Sequence, residues 1–480
     1  MNFETFTSKA GLDCKPHQAE AVEWCLNNET TGHNVGGKVV RGGLIADEMG
    51  LGKTIEILGT IVGNFKSNTL IVVPRALLEQ WKDVIQCTMR HQPLVFHGTG
   101  KKDLEIEDVK ARPIVLTTYG MISALKGEIP DEPKYQMLHE IKWDRVVFDE
   151  AHHLRNDDTR VHVGALALKS DIRWLMTGTP IQNSKNDFYA LCAVMGLPNE
   201  YYVTTANLME LVRRFILKRT KSDAGIILPA LESNIINVEW QSEEERMLAE
   251  DIHSQVRFSG VSKGCIPEAV QELLGDSENR TLPTLVRARQ MCVYPGLLKK
   301  TVGELLEDGL IDENDPILQA IESRSKMDTV TNTILENKNN GNSKLVFCHY
   351  RGEIDTLARD LSKNGMNVEK FDGRVTNSRR NEILTREDLD VLILQIQTGC
   401  EGLNLQHFNE IYFVSPHWNP AVEDQAVARC HRIGQTEPVK IYRFAMDGFD
   451  DEEQTCTLDK HSTNIQELKK KDQKMLEAEN

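Results

Sequence analysis

One stretch constrains the fold of this chain more than any other, residues 42–57. It reads Gly-Gly-Leu-Ile-Ala-Asp-Glu-Met-Gly-Leu-Gly-Lys-Thr-Ile-Glu-Ile. The apolar run at 43–46 predicts a buried strand, the glycines after it permit a tight turn, and helical spacing of apolar residues follows from Thr54. A strand, a glycine loop and a helix in this order form a phosphate cradle, because backbone N–H groups and the helix N-terminus face the bound negative charge.

The side chains of this loop suit a nucleotide triphosphate. Gly50 and Gly52 allow the turn, Lys53 can reach the β- and γ-phosphates, and Thr54 can hold Mg²⁺. One position departs from the general G-x-x-x-x-G-K-[ST] pattern, because Asp47 stands where its first glycine is expected. Taken alone, the loop leaves a fortuitous surface turn as the alternative.

Length and composition bound the class of protein. A chain of 480 residues predicts two or three domains, and 40% hydrophobic with 27% charged residues predicts a folded globular protein. No apolar stretch approaches a membrane span, and charged residues interrupt the first thirty positions, so we expect an intracellular protein without membrane association. The ten cysteines include no Cys-x-x-Cys pair, which argues against a zinc module and a disulfide framework.

The charge balance limits how nucleic acid could bind. A net charge of −16 opposes non-specific adhesion, so DNA would require a local basic groove. The basic run at 211–221 is a candidate edge of such a groove, although runs of this kind are usually solvated helix faces.

Two carboxylates follow a predicted strand in the first half of the chain. Alternating strands and helices imply a parallel sheet, which collects ligands at the carboxyl ends of its strands. Asp149 at such an end suits Mg²⁺, and Glu150 can orient or deprotonate the attacking water. Acidic residues also end strands merely because they are solvated, but the presence of Lys53 and Thr54 argues against that reading.

Two further motifs admit two interpretations each. Gln18, in a helical pattern upstream of the loop, could read the adenine edge or simply belong to an amphipathic helix. The sequence Thr177-Gly-Thr-Pro180 with Gln182 could relay the state of the γ-phosphate, or could be a simple turn.

The sequence predicts four segments. Residues 1–221 form a first lobe, 222–343 a helical insertion and linker, 344–448 a second alternating lobe, and 449–480 a tail with helical character. The second lobe has no phosphate loop of its own, which suggests that it closes on a nucleotide held by the first.

Residues 424–435 are the best candidate for that closure. Gln425, Arg429 and Arg432 lie four and three positions apart and would share one face of a helix. Two arginines on one face are what an arginine finger needs, and such a finger can be worth roughly 10³ to 10⁵ in rate. The alternative is a solvated basic helix, which would not explain the apolar residues around the arginines.

Together these motifs resemble the Swi/Snf family of superfamily-two helicase-like ATPases over residues 12–444. The family has an aspartate where Asp47 stands, and the form Asp149-Glu-Ala-His-His is similar to its DNA-repair and transcription-termination subgroup. The resemblance rests on the following ordered motifs: Lys15-Pro-His-Gln18, Asp47-Glu-Met-Gly-Leu-Gly-Lys-Thr54, Pro74-Arg-Ala-Leu-Leu-Glu-Gln-Trp81, Asp149-Glu-Ala-His-His153, Thr177-Gly-Thr-Pro180, Trp418-Asn-Pro420 and His431-Arg-Ile-Gly-Gln435.

The resemblance implies an α/β fold of two tandem RecA-like parallel-sheet lobes with a helical insertion between them. It implies a double-stranded-DNA-stimulated ATPase that uses ATP and Mg²⁺ and translocates without separating strands. Many members of the subgroup carry a zinc-binding insertion, which the cysteine spacing argues is missing here. Nucleosomes or DNA-bound proteins are further expected partners, and the nucleus or a viral replication site is the expected location.

The resemblance also assigns roles to individual residues. Catalytic roles fall on Lys53, Asp149, Glu150, Arg429 and Arg432; nucleotide contacts on Gln18, Asp47, Gly50, Gly52, Lys53, Thr54 and Gln425; and metal contacts on Thr54 and Asp149. One motif deviates, because Gln395 and Cys400 replace the usual residues of a loop in which Gly399, Gly402 and Asn404 keep the pattern. Trp418 could brace DNA or lie in the core.

Two other functions stay open at this point. A strand-separating helicase of the same superfamily is one, although the Ile-Gly-Gln ending after Arg432 speaks against it. A non-catalytic DNA-bound scaffold is the other, and it would be indicated by loss of Lys53, Asp149, Glu150 or the arginine helix, none of which is lost.

Overall fold

The computed structural model describes residues 1–101, 103–126, 133–134, 136–178, 185–261, 263, 266–274, 281–386, 388–396, 403, 405–449 and 455–478. The chain divides into two compact units, Met1–Ile227 and Leu228–Asn480.

A parallel sheet of seven described strands organises the first unit, in the order β11-β3-β10-β9-β4-β6-β5. Its strands are β3 Gly42–Ile45, β4 Thr69–Val73, β5 Leu94–Phe96, β6 Ile114–Thr118, β9 Lys142–Asp149, β10 Lys169–Met176 and β11 Ile216–Leu217. Two short antiparallel pairs stand apart from it, β1 His33–Val35 with β2 Lys38–Val40, and β7 Leu125–Lys126 with β8 Pro133–Lys134.

The central strands of this sheet are buried on both faces. All five residues of β4 and of β6 are buried, as expected for strands covered by helices on each side. Alternate residues enter different cores, with Leu70 and Val72 in one and Ile71 and Val73 in the other. The carboxyl ends of these strands therefore lie together at one edge of a rigid sheet, where polar residues can be placed accurately.

Helices of the first unit fall between the strands. They span Phe3–Lys9, Pro16–Thr30, Lys53–Gly63, Leu78–Met89, Ile106–Lys110, Tyr119–Ile122, Met137–Glu140, Arg160–Ala167, Lys185–Met195, Asn199–Tyr202 and Leu208–Phe215. Short 3-10 turns occupy Arg75–Leu77, Thr99–Lys101, Ala151–Leu154 and Thr205–Asn207.

The second unit contains another all-parallel sheet, with its six described strands in the order β12-β17-β16-β13-β15-β14. These strands are β12 Leu231–Val238, β13 Lys344–Cys348, β14 Val368–Phe371, β15 Val391–Gln395, β16 Glu410–Phe413 and β17 Val439–Met446. Its helices span Glu243–His253, Glu268–Leu274, Thr281–Val293, Lys299–Glu307, Pro316–Ala320, Ser325–Glu336, Arg351–Lys363, Asn377–Leu384, Pro420–Cys430 and Leu458–Ala478, with a 3-10 turn at Pro295–Leu298.

The region expected to be a helical insertion is part of this second unit. Its strand β12 pairs with β17 over eight residues at the edge of the sheet. Helices from the same region share one hydrophobic core with the sheet, where Leu248 and Met291 join Val346 and Tyr412. Residues 231–238 of this region form a largely exposed edge strand, which the prediction of a helical insertion did not include. The four segment boundaries themselves stay a prediction.

A buried ion pair holds the last helix onto the second unit. The Lys326 ammonium is bonded to the Asp459 carboxylate, and the two side chains are 1% and 2% exposed. Lys326 also donates to Ser415 Oγ at 2.8 Å, and Asp459 accepts from the backbone N–H of Met446 at 3.2 Å. A charge pair this deep needs both partners, since removal of one leaves the other buried and uncompensated.

Across the described residues, no helix combines the length and the apolar character that crossing a membrane requires.

Candidate active site

The phosphate loop joins β3 to the helix Lys53–Gly63, as the sequence predicts. Gly50 and Gly52 have φ values of 94° and 95°, in the region that favours glycine. A side chain at position 52 would also collide with Gln18, whose Nε2 lies 2.2 Å from the place of a Cβ atom. Both glycines are therefore required by the backbone of the turn.

Lys53 and Gln18 both lie at this loop. The Lys53 ammonium donates to the main-chain carbonyl of Asp47 at 2.7 Å, and Gln18 Nε2 donates to the carbonyl of Leu51 at 3.0 Å. His17 also contacts the Leu51 carbonyl, at 3.1 Å through Nε2. The start of the helix Pro16–Thr30 is therefore fastened to the tip of the loop, which places Gln18 beside it.

The carboxylate of Asp47 is bound by an arginine from a distant part of the chain. Arg219 Nε lies 3.1 Å from Asp47 Oδ2, and its Nη2 contacts the same carboxylate and Glu56 Oε1, the latter at 3.1 Å. The Asp47 side chain is fully buried. This geometry favours a structural task for the carboxylate, and the assignment of Asp47 as a nucleotide contact stays a prediction.

Asp149 ends β9 with both of its oxygens engaged. Oδ2 accepts from the indole Nε1 of Trp81 at 2.7 Å, and Oδ1 accepts from the backbone N–H of Glu150 at 3.0 Å. The Tyr119 hydroxyl donates to the main-chain carbonyl of Asp149 at 2.6 Å. Burial, followed by the Glu150 charge, raises the pKa of Asp149 to about 7, while Trp81 and Lys53 act in the opposite direction. A buried carboxylate of this kind fits a divalent cation, which would stabilise its ionised form.

Glu150 follows in a strained conformation. Its φ of 50° and ψ of 51° place a non-glycine residue in the left-handed region, a conformation that concentrates at functional sites. Its carboxylate is 14% exposed and its Oε2 lies 3.3 Å from Nδ1 of His152. His152 Nδ1 is in turn 3.5 Å from the Thr177 hydroxyl. These contacts join the strand ends of β9 and β10 around Glu150.

The motif at 177–180 is described only in part. Gly178 approaches the phosphate loop closely, since a Cβ atom there would lie 2.8 Å from Cγ of Met49. Thr179, Pro180 and Gln182 lie outside the described residues. The same holds for Gly399, Cys400, Gly402 and Asn404 of the unusual loop in the second unit, whereas Gln395 donates to the His349 carbonyl at 3.2 Å.

The arginine helix of the second unit is shorter than expected. It spans Pro420–Cys430 and carries Gln425 and Arg429, but Arg432 lies beyond its end. The prediction that all three share one helix face is therefore wrong for Arg432. Gln435 Nε2 donates to the Gln406 carbonyl at 2.8 Å, and this contact holds the following turn.

Arg432 is nevertheless well placed for charge recognition within its own unit. Burial and the neighbouring charge of Arg429 lower its pKa, and its Nε is among the buried nitrogens that have no protein partner in the described part of the chain. A buried, incompletely paired guanidinium is suited to an anion.

Two family models match the chain. One, described as SNF2-related domain, matches residues 17–203, and the other, described as Helicase conserved C-terminal domain, matches residues 325–434. Together they cover more than half of the chain, and the first includes the phosphate loop, Asp149 and Glu150.

This chain belongs to the SNF2 family.

Membership makes the protein an enzyme of the ATPase class, and its two parallel sheets confirm the predicted pair of RecA-like lobes. Asp47 stands where the general phosphate-loop pattern has a glycine, and the structure gives a physical reason why an aspartate is accommodated there. The aspartate takes the first glycine's place because its carboxylate is satisfied by Arg219 inside the protein.

Curated relatives span viral and cellular proteins. The chain is 28% identical over 476 residues to the "Probable global transactivator" of Orgyia pseudotsugata multicapsid polyhedrosis virus, which covers 92% of this chain and 90% of that protein. It is 26% identical over 506 residues to the "DNA excision repair protein ERCC-6-like" of Danio rerio, which covers 89% of this chain and 34% of that protein. This chain therefore spans about a third of the latter relative.

Among solved structures, the chain is similar to the Sulfolobus solfataricus SWI2/SNF2 ATPase core in complex with dsDNA. The sequence identity is 22%, the TM-score is 0.41, and the match covers 90% of this chain and 88% of that one.

Three residues that position this SNF2-family site are not among the site residues predicted from the sequence. Trp81 and Tyr119 fix Asp149, and Arg219 fixes the phosphate loop. Trp81 belongs to one of the motifs, but the motif does not reveal that its indole N–H binds Asp149, which lies 68 positions away in the sequence. Arg219 lies in the basic run 211–221, where its charge suggested DNA instead.

Proposed function

We propose that this protein is an ATP-dependent translocase on double-stranded DNA, which hydrolyses ATP to remodel protein–DNA complexes without separating the strands. The observation that carries the proposal is that the phosphate loop after β3 and the Asp149–Glu150 pair after β9 follow strands of one parallel sheet, and that Lys53 is near enough for its charge to lower the pKa of Asp149, in an SNF2-related domain. Hydrolysis of a nucleotide needs a triphosphate cradle, a metal ligand and a base in one place.

Each residue of the first unit has a distinct task in this proposal. Gly50, Gly52 and Lys53 hold the triphosphate, and Gln18 selects adenine. Thr54 and Asp149 would hold Mg²⁺, which when bound neutralises charge on the phosphates. Asp149 is prepared for this by Trp81, whose N–H donates to the carboxylate and favours its ionised form.

Glu150 orients and deprotonates the attacking water. Its backbone N–H donates to Asp149 Oδ1 at 3.0 Å and its Oε2 lies 3.3 Å from His152 Nδ1, so its carboxylate is positioned before the substrate binds. His152 contacts both Glu150 and Thr177, which supplies a route by which the state of the γ-phosphate reaches β10.

Arg429 and Arg432 of the second unit stabilise the charge that develops on the γ-phosphoryl group, and Gln425 contributes to the nucleotide site. The second unit has a helicase C-terminal domain but no phosphate loop of its own. Its arginines therefore act on the nucleotide that the first unit holds.

DNA contacts are made mainly to phosphates, so affinity falls with salt and sequence preference is weak. Trp418 is 62% exposed, which removes the alternative of a core tryptophan and supports a contact with the nucleic acid backbone.

The basic run at 211–221 contributes less to DNA binding than its charge suggests. Arg214 is paired with Glu210 at 2.6 Å, Lys221 is paired with Glu48 at 2.9 Å, and Arg219 is bound to Asp47 inside the protein.

Nucleosomes or other DNA-bound proteins are the proposed targets, and the nucleus or a viral replication site is the proposed location. The names of the curated relatives, a viral transactivator and a DNA excision repair protein, support this choice.

A comparison of steady-state ATPase rates on bare double-stranded DNA, single-stranded DNA, RNA and nucleosomes tests the proposal. Duplex DNA should stimulate hydrolysis more than single strands or RNA, and a strand-displacement assay on a plain duplex should show no unwinding. Stimulation by single strands together with ATP-dependent unwinding would support a strand-separating helicase instead. Absence of ATPase activity on every substrate would support a DNA-bound scaffold.

A further inference from the structure

The segment that leaves the first unit runs beside the phosphate loop. We call residues 216–231 the connector, since they begin at β11 in the first unit and end at the first residue of β12 in the second. β11 pairs with β3, and the ladder continues past both strands. The backbone N–H of Ala46 donates to the Leu217 carbonyl at 2.7 Å, and that of Glu48 donates to the Arg219 carbonyl at 2.9 Å.

The Arg219 guanidinium contacts three elements of the first unit. It binds the Asp47 carboxylate in the loop, Glu56 on the helix after the loop, and the main-chain carbonyl of His17 at the start of the helix that carries Gln18. Both carboxylates are fully buried. Burial and the nearby Asp47 raise the pKa of Glu56 to about 8, whereas Arg219 and Lys53 oppose the rise. Arg219 is therefore the cation that makes this buried acidic pair tolerable.

The position of Asp47 in turn fixes the nucleotide-binding lysine. Lys53 Nζ donates to the Asp47 main-chain carbonyl at 2.7 Å. A displacement of Asp47 would move that carbonyl and the turn that precedes Gly50. The chain of contacts from the connector to the Lys53 ammonium thus has one intermediate residue.

The other end of the connector touches the arginine element of the second unit. His431 Nε2 lies 2.8 Å from the main-chain carbonyl of Pro229. His431 stands between Arg429 and Arg432 in sequence and caps the end of the helix Pro420–Cys430. One short segment is therefore fastened at its two ends to the phosphate loop and to the arginine element, each within its own unit.

We propose that Arg219 is a positioning residue of the phosphate loop, and that through it the connector couples the nucleotide site of the first unit to the arginine element of the second. The inference rests on the proposed function, which assigns the phosphate loop to ATP binding and the arginine element to hydrolysis. A change in the path of the connector alters the loop through Arg219 and Asp47, and a change at the loop reaches Pro229 and His431 by the same path.

ATP affinity and turnover of four variants test the role of Arg219. Arg219→Lys keeps the charge but cannot reach three acceptors at once. We expect this variant to remain folded and to bind ATP on the order of tenfold more weakly in the absence of DNA. Arg219→Met should lose more, and the addition of Asp47→Asn to it should restore part of the affinity, because the double variant removes the buried Asp47 charge that Arg219 no longer compensates.

Lys221→Gln is the matched control on the same segment. It removes the side-chain contact with Glu48, but the Lys221 backbone N–H still donates to Glu48 Oε2 at 2.8 Å. ATP affinity should therefore stay within about twofold of the wild type. A lower melting temperature of Arg219→Lys with unchanged ATP affinity would overturn the positioning role. Failure of the wild type to hydrolyse ATP would count against the proposed function, while the binding data would still decide on Arg219.

A longer connector tests the coupling. Insertion of Gly-Ser between Ile227 and Leu228 lies beyond the turn in which the Ile226 N–H donates to the Lys221 carbonyl at 2.8 Å, and it lengthens the chain between Arg219 and Pro229. We expect ATP affinity to stay within about twofold and DNA-stimulated turnover to fall about fivefold. Turnover equal to that of the wild type would contradict the coupling.

Discussion

The indole N–H of Trp81 donates a 2.7 Å hydrogen bond to Oδ2 of Asp149, from a helix to the end of a strand. Trp81 is 2% exposed, so the contact is shielded from water. The bond favours the ionised carboxylate, against the burial and the Glu150 charge that raise the pKa of Asp149. The ionised form of Asp149, which is the form that would bind a metal ion, thus depends on a residue outside the strand that carries it.

Trp81→Phe should keep the fold and weaken catalysis. Without the indole donor the pKa of Asp149 rises further, so a smaller fraction is ionised near neutral pH. We expect a kcat about tenfold lower and a shift of the acidic limb of the pH–rate profile to higher pH. Trp240→Phe is the matched control, since it removes an indole bond to the Gly448 carbonyl in the second unit. An unchanged pH–rate profile for Trp81→Phe would contradict this role.

Arg432→Ala should reduce the ATPase rate far more than the affinity for ATP. An arginine that stabilises developing charge acts in the transition state, and its removal costs roughly 10³-fold or more in kcat. Arg359→Ala removes an arginine with a side chain 55% exposed on another helix of the same unit, and should leave both quantities near their wild-type values. Steady-state kinetics and equilibrium binding provide the comparison. Equal losses of rate and affinity would point to a binding role for Arg432.

Lys326→Met should destabilise the second unit by about 3 to 5 kcal/mol, because Asp459 would remain buried without its cation. Addition of Asp459→Asn should recover part of this loss. Lys299→Met removes an ion pair to Glu322 in which both side chains are more than half exposed, and should change stability by less than about 0.5 kcal/mol. Urea unfolding measures all three variants. Equal effects of Lys326→Met and Lys299→Met on the free energy of unfolding would show that the buried pair contributes no more to stability than the exposed pair.

Glu353→Gln should change how stability depends on pH. Glu353 Oε2 accepts from the backbone N–H groups of His349 and Tyr350, and burial raises its pKa to about 7. Since the folded pKa is above the unfolded one, its contribution is fully present below about pH 4.5 and is lost as the pH rises through 7. Between pH 5 and 8 the wild type should therefore lose up to about 3 kcal/mol relative to Glu353→Gln. A stability difference independent of pH would be inconsistent with this shift.

Local patterns predicted much of the fold. The apolar run at 43–46 predicts a strand and the structure has β3 at Gly42–Ile45, because a short apolar run that ends at turn residues has few other solutions. The edge strand β12 could not be found this way. Residues 231–238 are mostly exposed and do not alternate regularly between polar and apolar, and their pairing with β17, two hundred positions later, makes them a strand.

The residues of the candidate site also fall into two groups, those that have a local signal in the sequence and those that do not. Lys53, Asp149 and Glu150 could be predicted as site residues because each lies in a motif of fixed local order, and their roles stay a prediction. Arg219 was assigned to a basic surface, since its partners Asp47 and Glu56 are more than 160 positions away. The arginine helix ends before Arg432, and the turn that follows contains Gln435, which donates to the carbonyl of Gln406, 29 positions away. Long-range polar contacts of this kind leave no local signal.

The central claim is that ATP is hydrolysed by water that Glu150 activates, in response to duplex DNA. The most direct test is to measure ATP binding and duplex-stimulated turnover of Glu150→Gln beside the wild type. Gln keeps the size of the side chain but cannot accept the proton, so binding should be preserved and turnover nearly abolished. Hydrolysis at the wild-type rate by Glu150→Gln would contradict the account.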